Sequence, residues 1–220
     1  RHKGEAIGMI ALANRPGGFD ETQVALLEPL TTALGTLIHA RNLEDERSRM
    51  ERVLRFNAEH DFLTKLPNRS SFFIQANVLL DHIQRHPAEG EACCLVLIDI
   101  DFFKQINDEH GHLAGDAVLE ELARLLMQAV RSQDLVARFG GEEFIMLLRG
   151  TTLEEARAIM ERIRQLVEQH SFLYQQQTIT VTISLGLTPY QMSYRCMDDW
   201  LLCVDQRLYE AKRRGRNRIA

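Results

Sequence analysis

Apolar side chains recur along the chain with two different periods, and each change of period marks a predicted element. Residues 93–100, CCLVLIDI, form a near-continuous apolar run, which is typical of a strand covered on both faces. Residues 178–188, TITVTISLGLT, alternate with period two and predict a half-buried strand. Helical spacing occurs between these runs and near the end of the chain. Its apolar positions are Val118, Leu119, Leu122, Leu125, Leu126 and Ala129, and then Trp200, Leu201, Val204, Leu208 and Ala211.

A β-hairpin is predicted over residues 134–148, DLVARFGGEEFIMLL, where two apolar, β-prone segments flank Gly140, Gly141, Glu142 and Glu143. Both glycines can adopt positive φ without steric penalty, and neither has a Cβ that would obstruct a ligand. The order of elements is then helix, strand, helix, two-stranded hairpin, helix, strand, helix. We therefore predict an α/β fold in which helices flank a central, mainly antiparallel sheet.

Residues 1–40 are predicted to be the truncated end of another domain. Residues 5–13 predict a short strand, residues 14–18 predict a turn, and Asp20 is the predicted N-cap of a helix. One strand and one helix cannot bury a core of their own. The strand–turn–FDE–helix pattern of this segment resembles the end of a GAF sensor domain.

Residues 41–60 differ in character, because charges of both signs alternate there with sparse apolar positions. Leu43, Met50 and Val53 fit the seam of a heptad repeat, which predicts a helical linker that forms a short parallel coiled coil. A solvated single helix explains the segment equally well, since the apolar seam is not continuous. In either case an N-terminal helical stalk precedes the main domain, which is predicted over residues 61–220.

Two helix starts in the main domain are predicted from capping residues. Pro67 disfavours helical backbone at the residue before it, so the stalk ends there and Asn68 is expected to cap the next helix. Thr151 or Thr152 is expected to cap the helix that follows the hairpin.

Composition excludes several classes of function. The chain has 220 residues with 45% hydrophobic content, which is enough for a sizeable core. The net charge is −5 and the only concentrated basic segment is residues 212–218, so we expect no nucleic-acid partner. No apolar run reaches the roughly 20 residues that span a bilayer. We expect a cytoplasmic location and no membrane segment in this chain.

Acidic side chains are predicted to come together from two separate elements. Asp99 and Asp101 end the apolar strand, and Glu142 and Glu143 occupy the tip of the hairpin. Oxygen ligands of this kind suit Mg²⁺, which takes a few carboxylates and completes its shell with water and phosphate oxygens. The pattern therefore indicates a metal site between the strand end and the hairpin.

Basic side chains that suit phosphates accompany these acids. Lys104 follows the acidic strand end, and Lys212 and Arg216 lie four apart, which predicts that both lie on one face of the last helix. Carboxylates for a metal together with bases for phosphates are typical of a nucleotide site.

Several motifs, in a single order, resemble the GGDEF diguanylate cyclases. Residues 140–144, GGEEF, are similar to the family signature in its variant with Glu at the third position. Residues 61–69, DFLTKLPNR, and residues 99–108, DIDFFKQIND, resemble the family's domain start and strand end. The resemblance departs from the family pattern at Lys65, where Gly is usual, and at Ser70, where Arg is common. The other matching positions are Gly111, His112, Gly115, Asp116 and residues 211–217, AKRRGRN.

The resemblance implies an enzyme that condenses two GTP into cyclic di-GMP and releases two pyrophosphates. Each domain would hold one GTP, so catalysis would need a homodimer. Mg²⁺ is the implied cofactor, with Mn²⁺ as an alternative ion. The implied metal ligands are Asp99, the Ile100 carbonyl, Glu142 and Glu143. The implied catalytic residues are Glu142, Glu143 and Lys104, with Glu142 assisting deprotonation of the ribose 3′-hydroxyl.

The same resemblance implies which residues bind the substrate. Asn107 and Asp116 would hydrogen-bond guanine, because an Asp that faces N1–H and the 2-amino group selects guanine over adenine. Asp116 is also a candidate helix cap. The Phe102 and Phe103 side chains are expected to lie in the core, while their backbone amides hold phosphate. The implied substrate-binding set is Phe102, Phe103, Lys104, Asn107, Asp116, Gly140, Gly141, Lys212 and Arg216.

A second site is implied by Arg131-Ser132-Gln133-Asp134, which lies five residues before Gly140 and matches the family's RxxD inhibitory motif. Arginine suits bidentate contact with phosphates and guanine edges. Cyclic di-GMP is expected to bind at Arg131 and Asp134 and to restrain the enzyme, with Arg162 as a further partner. An exposed Arg–Asp pair in a loop is the simpler alternative.

Three functions are compatible with these observations. The first is an active diguanylate cyclase, and the second is a non-catalytic receptor for cyclic di-GMP. The third is another nucleotidyl cyclase or a polymerase-like enzyme with a two-carboxylate site. The complete hairpin with Asp99 favours catalysis over the receptor, and Asn107 with Asp116 favours GTP as the substrate.

Overall fold

The computed structural model describes residues 13, 16, 18–86 and 92–220, and for Val24 it describes the backbone alone. The strand predicted over residues 5–13 and most of the turn predicted over 14–18 therefore lie outside the described residues. The chain divides into two compact units, residues 1–58 and residues 59–220.

The first unit is helical where it is described. Helix α1 spans Glu21–Ala25 and helix α2 spans Glu28–Glu59. Asp20 acts as the predicted cap, since its Oδ1 accepts a hydrogen bond from the Gln23 amide at 2.8 Å. The side chains of Met50 and Val53 are 61% and 48% exposed on α2. No helix among the described residues is both long and apolar enough to cross a membrane.

The second unit is an α/β domain with an antiparallel sheet, which confirms the predicted fold class. The four strands of the main sheet lie in the order β2-β3-β1-β6, and β4 and β5 form a separate hairpin. The elements are α3 (Arg69–Arg85), β1 (Cys93–Ile100), α4 (Phe103–His110), α5 (His112–Ala129), β2 (Leu135–Gly140), β3 (Glu143–Arg149), α6 (Leu153–Gln169), β4 (Phe172–Tyr174), β5 (Gln177–Ile179), β6 (Ile183–Pro189) and α7 (Met197–Arg213).

Helices cover both faces of the sheet, so β1 is buried along its whole length as predicted. Alternate residues of β1, beginning with Cys94 and Val96, face a core shared with α5 and α6. The intervening residues, beginning with Cys93 and Leu95, face a second core shared with α3 and α7. The middle of the sheet is therefore a stiff support for side chains at the strand ends.

Helix starts follow the predicted caps. Asn68 Oδ1 accepts a hydrogen bond from the Ser71 amide at 3.0 Å at the start of α3. At the start of α6, Thr152 and Glu155 form a reciprocal capping box, so Thr152 rather than Thr151 is the cap.

The single strand predicted over residues 178–188 is wrong. Residues 177–179 pair in the small hairpin as β5, while β6 starts at Ile183 in the main sheet. Between them the chain leaves both sheets, because Thr182 binds the loop after β1 through its carbonyl and its hydroxyl. Strand β6 is also fully buried along most of its length rather than half-buried, since α6 and α7 cover its two faces.

Candidate active site

The hairpin tip and the end of β1 are brought together by strand pairing. Asp99 of β1 is the cross-strand partner of Glu143, and the Ile100 amide donates to the Glu142 carbonyl at 3.4 Å. Gly141 adopts positive φ, at 50°, whereas Gly140 remains in β2, where it is paired with Glu143. The tip thus needs positive φ at one glycine rather than at both.

The carboxylates of Asp99 and Glu143 are poorly solvated, which disfavours their charged forms. Asp99 is 6% exposed, and burial raises its pKa, which Glu142 and Asp101 raise further by repulsion. Burial also raises the pKa of Glu143, and the charge on Asp99 adds to the effect. Lys212 opposes both shifts, with its Nζ 2.7 Å from Asp99 Oδ2.

These carboxylates fit a divalent cation. A positive charge at this position would relieve the repulsion that raises the pKa values of Asp99 and Glu143. Over residues 18–86 and 92–220, no three His, Cys, Asp or Glu side chains converge into a complete metal cage. Mg²⁺ does not require such a cage, because water and phosphate oxygens supply much of its octahedron.

Asp101 supports the loops around the site through hydrogen bonds. It is 4% exposed, and its carboxylate accepts hydrogen bonds from Ser184 Oγ at 2.6 Å and Thr182 Oγ1 at 2.8 Å. The Asn217 amide donates to the same carboxylate at 3.0 Å. Its oxygens are therefore occupied by protein donors, and it holds together the loops beside Asp99.

The residues predicted to hold phosphate lie on two neighbouring turns. Phe102 adopts a left-handed conformation with φ 57° immediately before α4, and Lys104 is exposed in the first turn of that helix. The Phe102 ring is 58% exposed, so its predicted place in the core is wrong, because the left-handed backbone directs the side chain outward. Phe103 does pack against the core. The Arg216 guanidinium lies 4.5 Å from the centre of the Phe102 ring.

The prediction that Lys212 and Arg216 share a helical face is wrong. Helix α7 ends at Arg213, and Gly215 follows with φ 111°. The Arg216 amide donates to the Ala211 carbonyl at 3.1 Å and the Gly215 amide to the Lys212 carbonyl at 3.4 Å. This is a Schellman motif, so Arg216 lies in the turn beyond the helix.

Helices α4 and α5 contact each other near the residues predicted to bind guanine. Asn107 packs so closely against Gly115 that a Cβ at position 115 would overlap its Oδ1. Asp116 follows Gly115 inside α5. It cannot cap that helix, because Gly111 occupies the N-cap position. The capping role suggested for Asp116 is therefore wrong, and its half-buried side chain follows directly after the contact between Asn107 and Gly115.

The RxxD segment forms a turn before β2. Asp134 accepts hydrogen bonds from the Arg131 amide at 3.0 Å and the Arg149 amide at 3.1 Å, while the Arg131 side chain is exposed. Arg162 of α6 reaches the same region, where its Nη2 donates to the Ala129 carbonyl at 3.2 Å. The structure thus places Arg131, Asp134 and Arg162 around one corner of the domain, separate from the carboxylates.

Arg138 is a site-supporting residue that the sequence analysis missed. Its guanidinium donates to the Gly141 carbonyl at 3.1 and 2.8 Å and to Asp61 Oδ1 at 3.0 Å. Burial works against the charge on Asp61, but hydrogen bonds from Thr64 and Arg138 together lower its pKa. The DFLT motif marked Asp61 in the sequence. The pairing of Asp61 with Arg138 could not be predicted from that motif, because it depends on the β-bulge at Phe139.

Carboxylates at a sheet end and basic residues on two adjoining turns indicate an α/β protein of the nucleotide-handling class. The sequence profile of one such family, described as "Diguanylate cyclase, GGDEF domain", matches residues 58–218. The chain belongs to the GGDEF diguanylate cyclase family.

Similar proteins agree with this assignment. Diguanylate cyclase A of Treponema denticola is 41% identical over 162 residues, which cover 72% of this chain and 43% of that protein. The coiled coil and GGDEF domain of DgcB from Caulobacter crescentus, in complex with c-di-GMP, matches with a TM-score of 0.76 at 27% identity, covering 87% of this chain and 98% of that one. The active GGEEF domain of a diguanylate cyclase from Vibrio cholerae matches with a TM-score of 0.63 at 34% identity, covering 69% and 94%. The chain spans less than half the length of the curated relatives it matches.

Proposed function

We propose that the protein condenses two molecules of GTP into cyclic di-GMP and releases two pyrophosphates. The observation that carries this proposal is the pairing of two carboxylates, buried Asp99 and half-buried Glu143, beside the Lys212 ammonium in a GGDEF domain. Such a site combines an acidic half for a metal with a basic half for phosphates.

The acidic half would hold Mg²⁺, with Mn²⁺ as an alternative ion. Asp99, Glu142 and the Ile100 carbonyl are the proposed ligands, and Glu143 is a further one. The bound ion would lower the pKa of the attacking 3′-hydroxyl and neutralise charge on the phosphate oxygens. Glu142 would accept the proton of that hydroxyl, since it lies at the exposed hairpin turn where a second substrate can approach.

The remaining residues would bind and orient GTP. The backbone amides of Phe102 and Phe103 and the side chain of Lys104 lie at the start of α4, where helix amides favour anions. Lys212 would exchange its ion pair with Asp99 for contact with the phosphates, which would leave the Asp99 carboxylate available to the metal. Asn107 and Asp116 would bind the guanine edge. Gly140 and Gly141 would let substrate approach the hairpin backbone, as nothing lies within 4 Å of a Cβ built at either position.

Catalysis would require a homodimer, because each domain presents one such site and the reaction joins two nucleotides. The exposed apolar positions of α2, among them Leu43, Met50 and Val53, suit pairing of two stalks as a short coiled coil. The DgcB fragment that this chain resembles includes a coiled coil. Residues 1–40 remain, on this proposal, the end of a GAF-like sensor, 41–60 the linker and 61–220 the cyclase domain.

Incubation of the protein with GTP and Mg²⁺, followed by chromatographic separation of the products, tests this function. We expect cyclic di-GMP and pyrophosphate in a ratio of one to two. A non-catalytic receptor would leave GTP intact, and a different nucleotidyl cyclase would give another product, so either result would contradict the proposal.

We also propose that cyclic di-GMP binds at Arg131 and Asp134, with Arg162 as a further partner, and restrains the enzyme. Arg131→Ala is expected to keep its turnover as product is added, because the exposed guanidinium that would hold a phosphate is lost. Initial rates measured against added cyclic di-GMP check this. Undiminished inhibition of the variant would refute the site, and Arg195→Ala, an exposed arginine before α7, is the matched control.

A further inference from the structure

We propose that Arg164 of α6 is a positioning residue for the phosphate-binding Arg216, and that it acts through Asn217. This inference rests on the proposed function, since it assigns Arg216 to GTP. The three residues 215–217 are called here the phosphate turn.

The phosphate turn has an unfavourable backbone conformation. Gly215, Arg216 and Asn217 have φ values of 111°, 61° and 45° in succession. A left-handed residue other than glycine costs roughly 1–2 kcal/mol, although asparagine tolerates it better than most. Such strain persists only where the surroundings hold it, and it concentrates at functional sites.

Asn217 is held from two sides. Its backbone amide donates to Asp101 Oδ2 at 3.0 Å, which ties the turn to the loop after β1. Its side chain is bound by α6, with Arg164 Nη1 donating to Oδ1 at 2.7 Å and Nδ2 donating to Glu168 Oε1 at 2.7 Å. The amide group is therefore fixed by a donor and an acceptor at once.

Ion pairs hold the Arg164 side chain in place, so it can in turn hold the Asn217 side chain. Its side chain is 13% exposed and forms ion pairs with Glu161 at 2.7 Å and Glu168 at 2.9 Å. A guanidinium that already forms a bidentate ion pair loses little further conformational freedom when it donates one more hydrogen bond. Arg164, Glu161 and Glu168 thus form a rigid frame on α6 that faces the phosphate turn.

The frame decides where Arg216 lies. Arg216 is the residue before Asn217, and its guanidinium stacks on the Phe102 ring at 4.5 Å, beside the backbone amides proposed for phosphate. If Asn217 were released, the turn could relax from its left-handed conformation and Arg216 would leave this position. We therefore expect the loss of Arg164 to weaken GTP binding while the metal-facing carboxylates stay intact.

The test measures turnover of GTP together with calorimetric binding of 3′-deoxy-GTP, which lacks the attacking hydroxyl and cannot be cyclised. Arg164→Ala is expected to raise KM and the dissociation constant by about tenfold, as for the loss of one charge-assisted hydrogen bond, with a much smaller change in kcat. Arg157→Ala removes an exposed arginine of the same helix and should change neither value.

Asn217 variants separate positioning from backbone strain. Asn217→Gly keeps access to the left-handed conformation but loses the side-chain bonds, so it should reproduce the effect of Arg164→Ala. Asn217→Ala loses the bonds and adds a Cβ penalty, so it should bind GTP no better than Asn217→Gly. Wild-type affinity in Asn217→Gly would overturn the proposal.

A double variant distinguishes positioning from general destabilisation. If Arg164 acts through Arg216, adding Arg164→Ala to Arg216→Ala should raise KM no further, whereas independent effects would multiply. A multiplied effect, or an unchanged KM in Arg164→Ala, would refute the inference. Absence of cyclic di-GMP from the wild type would contradict the proposed function instead, and the binding of 3′-deoxy-GTP would still decide the role of Arg164.

Discussion

Lys65 shows how a single backbone angle affects the stability of the domain. It occupies a position with φ 60°, in the loop where the family pattern has glycine. We expect Lys65→Gly to raise the free energy of unfolding by about 0.5–1 kcal/mol, because the left-handed penalty of lysine exceeds the entropy cost of glycine. Chemical denaturation of the two proteins measures the difference.

The control for this prediction is Lys65→Ala. It removes the hydrogen bond from Lys65 Nζ to the Phe62 carbonyl but keeps the Cβ in the left-handed position. Alanine should therefore give no gain in stability. Equal stabilisation by alanine and glycine would contradict the explanation.

Glu143 is expected to make stability depend on pH. Its pKa is raised in the folded protein above the ordinary value of 4.5, by burial first and by Asp99 second. The folded state therefore binds its proton more tightly than the unfolded state does. The carboxyl costs nothing below pH 4, and stability falls as pH rises through the interval between the unfolded and folded pKa values.

Glu143→Gln should consequently stabilise the metal-free protein at pH 7 and give no gain near pH 3.5. Thermal unfolding with EDTA at the two pH values checks this. The matched control is Glu120→Gln, an exposed position on α5 whose substitution should leave the stability at pH 7 unchanged. A gain that is equal at both pH values would contradict the electrostatic cause.

Individual side chains show where the sequence was sufficient for prediction and where it was not. The meeting of Asp99 with the hairpin carboxylates followed from the ends of two predicted strands. The engagement of Asp101 did not, because its three donors come from segments 81 to 116 residues away in sequence. The position of Arg216 was predicted wrongly, although Gly215 is a sequence signal for the end of α7. The spacing of four between Lys212 and Arg216 was given more weight than that glycine.

At the scale of elements, the coiled coil proposed for helix α2 leads to a prediction about activity. Met50→Asp and Val53→Asp each place a charge on the apolar seam of the proposed coiled coil. We expect both variants to lose most of their turnover of GTP, because two domains would no longer be held face to face. Binding of 3′-deoxy-GTP to each subunit should not change.

Ser48→Asp is the control for the stalk, since it adds the same charge outside the heptad seam. Sedimentation of each variant, alongside its rate of cyclic di-GMP formation, connects assembly with activity. Full turnover in a Met50→Asp protein that has become monomeric would contradict the requirement for a dimer.

The elements also differ in how well their patterns predicted them. Strand β1 was predicted with its observed bounds, because an apolar run buried on both faces gives a strong signal. The split between β5 and β6 was missed, since alternation continues through Thr180 and Thr182 while tertiary hydrogen bonds to Asp101 end the pairing. Helix α4 was missed because its eight residues expose mostly polar side chains and bury Ile106 alone.

At the scale of the whole molecule, the fold class followed from the order of elements, and the sheet order did not. The sequence separated an α/β domain from a helical stalk through their different apolar patterns. The placement of β1 between β3 and β6 depends on long-range pairing that no local pattern encodes. That placement brings Asp99 beside Glu143 and gives the domain its candidate active site.

The central claim is that carboxylates from two strands hold a divalent ion for chemistry on GTP. Comparison of wild type with Glu142→Gln, in the conversion of GTP with Mg²⁺ to cyclic di-GMP, tests it most directly. We predict that Glu142→Gln lowers kcat by about 10²–10³, as for the loss of one group that stabilises the transition state, while Glu109→Gln, an exposed carboxylate on α4, has wild-type activity. Turnover by Glu142→Gln at the wild-type rate would contradict the claim.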